Sequence, residues 1–566
     1  MIRYDLKNSV ALGWAVSILL FGASIFLLSL FFTDYSFLSN IKILFSACFY
    51  PYLAILLLVV KFGDKEWPFV RFAYSVKETK DKTILIWLVS LLFSTFLCTA
   101  LLRHLNFASE SDLAFYDQII WNTAQGRILH SSLAGGGISL SNHFEPILVF
   151  LAPLFWVLPR VEVLFLVQAF SLASAIVPLY FIAKKKLDWD ESPEDRSTSR
   201  YLIWACVLSY FFSKGIHGAA MFDFHTDCFL PPLMFWAYYF IVTDKLARAV
   251  GICLAMLLCK ENAAILVFAL GLFAVVSRGR RFFGISVVAL GISAWIIETR
   301  IVIPLFSLAR EYSYLSWLPF GHTYLENIRT IVSKPYLLIQ LFFTGKRLEY
   351  YLKMFAPTGF LALLSPSHYA LFMFPMMAIV LGSVAHHMLL SIDTQYSAHT
   401  VPAILIAAIC AIAWLRDGLI RRFPHHSRRI CSFLALYILL TSVLFYWRSD
   451  GCWMSNYIGL GKDVGAAEIS RVLREHVPDD ASVSTISNLA AHLSHRQVFH
   501  VAGYDASKMF NLSDDFIVIH ERLMRLPAAD FQRLSAEIQL AGYGVEYQSA
   551  AGLIVLKHKR AAEKGA

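Results

Sequence analysis

The sequence predicts an all-α polytopic membrane protein carrying a small C-terminal α/β domain. Three observations predict it. Of 566 residues, 58% are hydrophobic and 16% charged, whereas a soluble domain averages about 25% charged; mean hydropathy is +0.59. Apolar runs long enough to cross a hydrocarbon core, which takes about 20 residues, recur at 11–32, 41–60, 83–102, 161–183, 282–297 and 401–415. After Trp447 the composition becomes that of a soluble chain.

Taken in order, the run at 11–32 is too long for a signal-peptide core and lacks a small-residue cleavage site, so it reads as a retained span. Residues 1–82 read as an N-terminal two-helix membrane segment ahead of a transmembrane core at 83–450 with a first outer loop at 103–145. Basic clusters orient the chain: Lys61 to Lys82, Lys184-Lys185-Lys186, Lys245 with Arg248, Arg278 to Arg281, and Arg416 to Arg429. Placing all five on the cytoplasmic side gives a cytoplasmic N-terminus, about thirteen crossings and an extracytoplasmic C-terminal domain at 461–566. The short run 147–158, flanked by Pro146 and Pro159, reads as a half-inserted helix. The stretch 301–353 falls outside despite its basic residues, because long loops obey the charge rule poorly. The net charge of +9 belongs to this topology signal, and no basic and aromatic interleaving marks a nucleic-acid binder. Oligomeric state leaves no mark in the sequence.

The C-terminal domain reads as helix at 465–476, strands at 481–486 and 515–519, helix at 529–541, and strands at 545–548 and 553–556. Gly459-Leu460-Gly461-Lys462-Asp463-Val464-Gly465 has the wrong spacing for a dinucleotide loop and follows no strand, so it reads as a hinge. Cys48, Cys98, Cys206, Cys253 and Cys410 lie in apolar runs and no C-x-x-C occurs, which fits buried small hydrophobes. Cys228 and Cys452 have no evident partner.

Several polar insertions interrupt the oil, and the predicted topology puts them on one outer face. Asp112 and Asp117 sit in SDLAFYDQIIWNTA, whose apolar residues suit a helix lying in the membrane interface. Either carboxylate, partly desolvated, suits a general base for a hydroxyl acceptor. The plainer reading is capping, with Ser109 or Ser111 starting a helix and acid in its first turn. His143 and Glu145 precede Pro146 and are candidate substrate contacts; the plainer reading is an interfacial histidine and a helix cap at Glu145. Asp223, His225 and Asp227 alternate, so an extended turn would place them on one face. Their oxygens suit magnesium or manganese and the imidazole widens the choice to zinc; a hydrogen-bonded turn is the alternative. Lys260-Glu261, between two apolar halves, needs pairing or a polar cavity. Lys260 could hold a phosphate as a point charge, with Glu261 orienting it, or the two could form an internal ion pair. His386-His387, Tyr396 and His399 would extend such a site.

The runs SDLAFYDQIIWNTAQGRIL, NHFEPILVFLAPLFWVLP, FDFHTDCFLPPL, KENAA, FAPTGFLALLSP, QYSAHTVPAIL and VPDDASVSTISNLAAHLSHRQVF together resemble a bacterial and archaeal membrane-protein family described as a domain of unknown function (number two thousand and seventy-nine). The resemblance runs from about Arg103 into the C-terminal domain. That family is similar in layout to the GT-C class of membrane glycosyltransferases, with many spans, a catalytic acid in the first outer loop and a polyprenyl-phosphate sugar donor. The resemblance implies that Asp112 or Asp117 is the base, although the adjacent Asp-Glu pair of several GT-C groups is absent here. The expectation is a glycosyltransferase of the cytoplasmic membrane. A transporter or flippase of a lipid-linked or ionic substrate and a non-catalytic scaffold are the rival classes.

Overall fold

A computed structural model describes residues 79–134, 137–188, 193–448, 465–502, 510–524 and 526–560. The first two apolar runs, Cys48, Cys452 and most of the glycine-rich hinge lie outside the described residues. What is described is predominantly helical, with a small C-terminal sheet.

Among the described residues five helices are long and apolar enough to cross a membrane: Asp81–Leu105, Glu162–Leu187, Arg281–Phe306, Gln395–Arg422 and Pro424–Tyr446. Four match apolar runs named from the sequence; the fifth lies where the predicted topology requires a crossing between the basic cluster at Arg416 to Arg429 and the C-terminal domain. Shorter apolar helices occupy Pro146–Val157, Leu246–Leu257, Ala263–Val276 and Pro366–Gly382. The run between Pro146 and Pro159 is thus a short helix, as its length dictated. The site is positioned by α1 (Thr79–Leu105), α2 (Ser111–Ala124), α3 (Ala263–Val276), α4 (Arg281–Ile297), α5 (Tyr369–Gly382) and α6 (Val401–Arg422).

Helices α3 and α4 form an antiparallel hairpin whose backbones touch. A Cβ on Gly271 would fall 2.5 Å from the Val288 nitrogen, and one on Gly291 would fall 2.8 Å from the Phe268 nitrogen and 2.9 Å from the Ala264 carbonyl oxygen. Small residues at a helix crossing in an apolar solvent allow this approach, where dispersion contacts replace a hydrophobic drive.

In the C-terminal sheet, β1 (Val483–Thr485), β2 (Phe499–Val501), β3 (Phe516–His520), β4 (Tyr543–Gln548) and β5 (Leu553–His558) are ordered β2-β1-β3-β5-β4. The first three are parallel, and β5 runs antiparallel to both β3 and β4. All five residues of β3 are buried, as a central strand covered on both faces requires. Helices Ala466–His476 and Ala528–Leu540 accompany the sheet. Every predicted element of this unit is present. The strand β2 went unpredicted because three residues after the polar His495-Arg496-Gln497 give too short a pattern to read.

The same segment ties the sheet to the membrane helices. The Ser111 backbone N–H donates to Ser487 Oγ at 2.8 Å, and Asn488 Nδ2 donates to the carbonyls of Phe107 and Ser109. The His104 and His492 rings stack with centroids 4.0 Å apart.

Candidate functional site

Helix α2 carries the first functional side chain, and a distant residue fixes where it starts. No side chain at its own N-terminus caps it. The Asp223 carboxylate instead accepts hydrogen bonds from the backbone N–H groups of Glu110 (2.8 Å) and Leu113 (3.3 Å), an anion placed where a helix leaves donors unsatisfied. Arg103 Nη2 lies 3.4 Å from the other Asp223 oxygen and the guanidinium also donates to the carbonyls of Ala108 and Met221. Burial pushes the Asp223 carboxyl up to about 6 against the opposing pull of Arg103. The cap expected of Ser109 or Ser111 is therefore supplied from more than a hundred residues away. Asp223→Ala is expected to cost the helix start about 1–2 kcal/mol and to speed amide hydrogen exchange at Glu110–Leu113 relative to the rest of α2. Unchanged protection there would refute the cap.

One residue into the helix, Asp112 Oδ2 stands 3.3 Å from His225 Nε2. The Asp112 side chain is 38% exposed and lines a half-open cavity. His225 Nδ1 sits 3.0 Å from the Asp223 carbonyl oxygen, so an imidazolium here donates from both ring nitrogens. Burial works to raise Asp112 and to lower His225, but their mutual contact outweighs it: the carboxyl lies below and the imidazole above its ordinary value. A depressed Asp112 stabilises the fold above its ordinary 3.8 and loses that contribution as pH falls through the folded value. A raised His225 contributes below 6.5 and loses it as pH rises through the folded value. The difference in thermal stability between the unmodified protein and His225→Gln is thus expected to peak between pH 3.8 and 6.5, read as apparent Tm against pH. A difference flat across pH 3–9 would rule the pairing out.

Asp117 is placed elsewhere. Five residues of α-helix turn it about 140° from Asp112, away from the cavity and against the C-terminal unit. It is fully buried, accepts a hydrogen bond from Ser494 Oγ at 2.5 Å, and lies 2.9 Å from His495 Nε2. The neighbouring Gln118 joins the same contact, its carbonyl accepting from Ser131 Oγ and its amide donating to the Arg496 carbonyl.

Below α2 a buried charge cluster surrounds Lys260. Its Nζ is 3.3 Å from Asp227 Oδ2 and 3.8 Å from Glu145 Oε1. Glu145 accepts from Tyr116 Oη at 2.8 Å and Thr226 Oγ1 at 2.6 Å, and Asp227 also pairs with His399 Nε2. Glu261 pairs with His143 Nδ1 at 2.7 Å and accepts from the Phe144 N–H and Tyr312 Oη, both at 3.0 Å. Burial would raise Glu261, but His143 and Lys260 bring its carboxyl down to about 2. Tyr314 Oη is 3.0 Å from His143 Nε2, and the two rings stack at 4.7 Å.

The expected metal triad does not assemble. Asp223 turns to Arg103 and the start of α2, His225 to Asp112, and Asp227 to Lys260 and His399. The segment from Phe222 to Asp227 fans these side chains to three different elements instead of one face, and among the described residues no three His, Cys, Asp or Glu side chains group around a common point. The set does not fit a metal ion. Lys260 likewise differs from a dedicated phosphate cation, since two carboxylates already share its charge.

Asp112, His143, His225, Lys260, Glu261, Tyr396 and His399 line one cavity of about 760 Å³. Glu145 lies directly behind that wall, and Asp117 and Asp223 lie off it. An apolar part of the wall is formed by Ile265 and Phe268 from α3, Ile292 and Ile296 from α4, and Phe374 and Met377 from α5. His386 stays outside the lining, stacked on Trp317 at 5.0 Å.

The sequence profile of a family described as "Predicted membrane protein (DUF2079)" matches residues 102–555. The chain belongs to the DUF2079 family. The DUF2079 match covers every polar residue of the cavity and the whole C-terminal sheet save the last three residues of β5. No curated protein matches the chain. Among solved structures it is similar to ArnT from Cupriavidus metallidurans bound to undecaprenyl phosphate, at 11% identity and a TM-score of 0.43, over 84% of this chain and 97% of that one.

Sequence reasoning missed the aromatic side of the DUF2079 cavity: Tyr116, Tyr312, Tyr314 and Trp317, with the amides Asn142 and Asn262. The cluster Tyr312-Ser313-Tyr314-Leu315-Ser316-Trp317 was the available signal, an aromatic run inside a long polar loop. It was passed over because aromatic residues are common in every part of this chain.

Proposed function

We propose that this protein is an integral-membrane glycosyltransferase that moves a sugar from a polyprenyl-phosphate donor to an acceptor hydroxyl on the outer face of the cytoplasmic membrane. The observation that carries the reading is the two-part cavity. A polar end of carboxylates, imidazoles and tyrosines suits a sugar and its phosphate, and an apolar wall of α3, α4 and α5 suits a hydrocarbon chain. Ligand sites generally combine an apolar lining with a few placed polar groups, but here the two kinds are segregated, as an amphipathic substrate requires.

In the reaction Asp112 takes the proton of the acceptor hydroxyl, and the resulting oxygen nucleophile forms a bond to the anomeric carbon. The bond from that carbon to the phosphate oxygen breaks, and its electron pair leaves with the lipid phosphate. His225 holds Asp112 ionised and oriented. Lys260, Tyr396 and His399 face the departing phosphate, where prepositioned donors lower the barrier. Because Lys260 is shared by Asp227 and Glu145 and His399 is paired with Asp227, the Tyr396 hydroxyl carries more of this work than a lone lysine would leave it. The polar groups gather at one end of the cavity instead of lining a path through the bundle, which favours transfer over transport.

The test is incubation of purified protein in nanodiscs with a panel of radiolabelled polyprenyl-phosphate sugars. Sugar release or transfer above that of Asp112→Asn supports the reading; label that stays on the lipid with every donor and acceptor tried counts against it.

A further inference from the structure

Residues 324–355 form three consecutive helices, Tyr324–Ser333, Pro335–Phe342 and Gly345–Phe355. At 10, 8 and 11 residues each is about half the length a crossing needs. The turns between them are a single lysine and a Phe343-Thr344 pair. Each helix presents apolar side chains outward at helical spacing. Leu325 and Val332 are each 75% exposed, Ile339 is 60%, and Leu348 and Leu352 are 42% and 55%. Solvated loops do not carry such a face, and patches of this kind mark contact with another phase or partner.

The charges decide which. The segment holds Arg329, Lys334, Lys346, Arg347 and Lys353 against Glu326 and Glu349, a net +3. Both acids are held locally, Glu326 in a capping box with Thr323 and Glu349 against Lys353 at 2.7 Å, and Arg329, Lys334, Lys346 and Arg347 make no ion pair with either. Short amphipathic helices with an apolar face and basic residues lie in the headgroup plane of a bilayer, and anionic lipid strengthens that binding. The segment is also continuous with the cavity, since Tyr324 and Ile328 line its wall.

We infer that residues 324–355 are an interfacial anchor that lies flat on an anionic lipid leaflet and holds one side of the cavity at headgroup level. Leu325, Val332, Ile339 and Leu352 enter the acyl boundary, and Arg329, Lys334 and Lys346 sit among lipid phosphates. The inference stands apart from the transfer reaction, since a transporter would use the same anchor.

The test places a photoreactive benzoylphenylalanine at Val332, Ile339 or Leu352 of the full chain in nanodiscs of phosphatidylglycerol or of phosphatidylcholine. Yields of phospholipid adduct are read by mass and normalised to the same label at Ile285, which is half-exposed on a candidate span. Leu540, 88% exposed on the C-terminal unit, gives the background. Expected are adducts at all three positions in phosphatidylglycerol. The combined variant Arg329→Gln/Lys334→Gln/Lys346→Gln should lower them about fivefold or more and change little in phosphatidylcholine. Yields no higher than at Leu540 overturn the anchor. Yields equal in both lipids and indifferent to the substitutions overturn its anionic partner.

Discussion

Asp112→Asn is expected to slow sugar transfer about a thousandfold, within the range a positioned general base contributes, and to leave the fold intact. Asparagine keeps the size of the side chain and an oxygen for His225, 3.3 Å away, but cannot take the acceptor proton. Asp117→Asn should do the reverse. Its carboxylate contacts Ser494 and His495 and no part of the cavity, so turnover by the folded protein should persist while the C-terminal unit loosens. Initial rates with saturating donor, together with limited proteolysis of residues 465–560, separate the two. If Asp117→Asn removed turnover in a protein that resists protease normally, Asp112 would lose its assignment.

The second large effect concerns stability. Lys260→Met removes the cation that Asp227 and Glu145 share at 3.3 and 3.8 Å. All three groups are almost wholly buried, and removing one member of a buried pair costs about 3–5 kcal/mol because the remaining charge is stranded. The apparent Tm in detergent should fall by about 3–4 °C. Lys260→Met combined with Asp227→Asn should recover part of the loss, since the second change removes the stranded charge. A single variant as stable as the unmodified protein would mean that water reaches the cluster freely. A double variant no better than the single would place the loss in packing.

How much of this could be read from the sequence follows the length scale of each interaction. Spans at 83–102, 161–183, 282–297 and 401–415 are local properties and all reappear as helices. The strands around Val483, Phe516 and Leu553 were equally readable from their apolar runs. That Asp112, His143, His225, Lys260 and His399 would meet followed from putting four polar insertions on one side of a bundle. Their pairings did not follow. Alternation suggested that Asp223, His225 and Asp227 would act together, but each answers to a partner on another element: Arg103, Asp112 and Lys260. The choice between Asp112 and Asp117 was likewise closed to composition. It turns on which face of one helix meets the cavity, and contacts of Asp112 with His225, Tyr116 with Glu145 and Asp117 with Ser494 together hold that rotation.

The contact between Asp117 and Ser494 joins residues 377 positions apart. A ribosome adding about 5–20 residues per second needs roughly 20 to 75 s to cover that distance. Through that interval α2 is already made, with its Asp117 carboxylate waiting for the hydroxyl that will bury it. Closure of that contact is therefore a late event in the life of each nascent chain, and a polypeptide stalled or truncated before Ser494 would leave the ribosome with the Asp117 carboxylate lacking its hydroxyl partner.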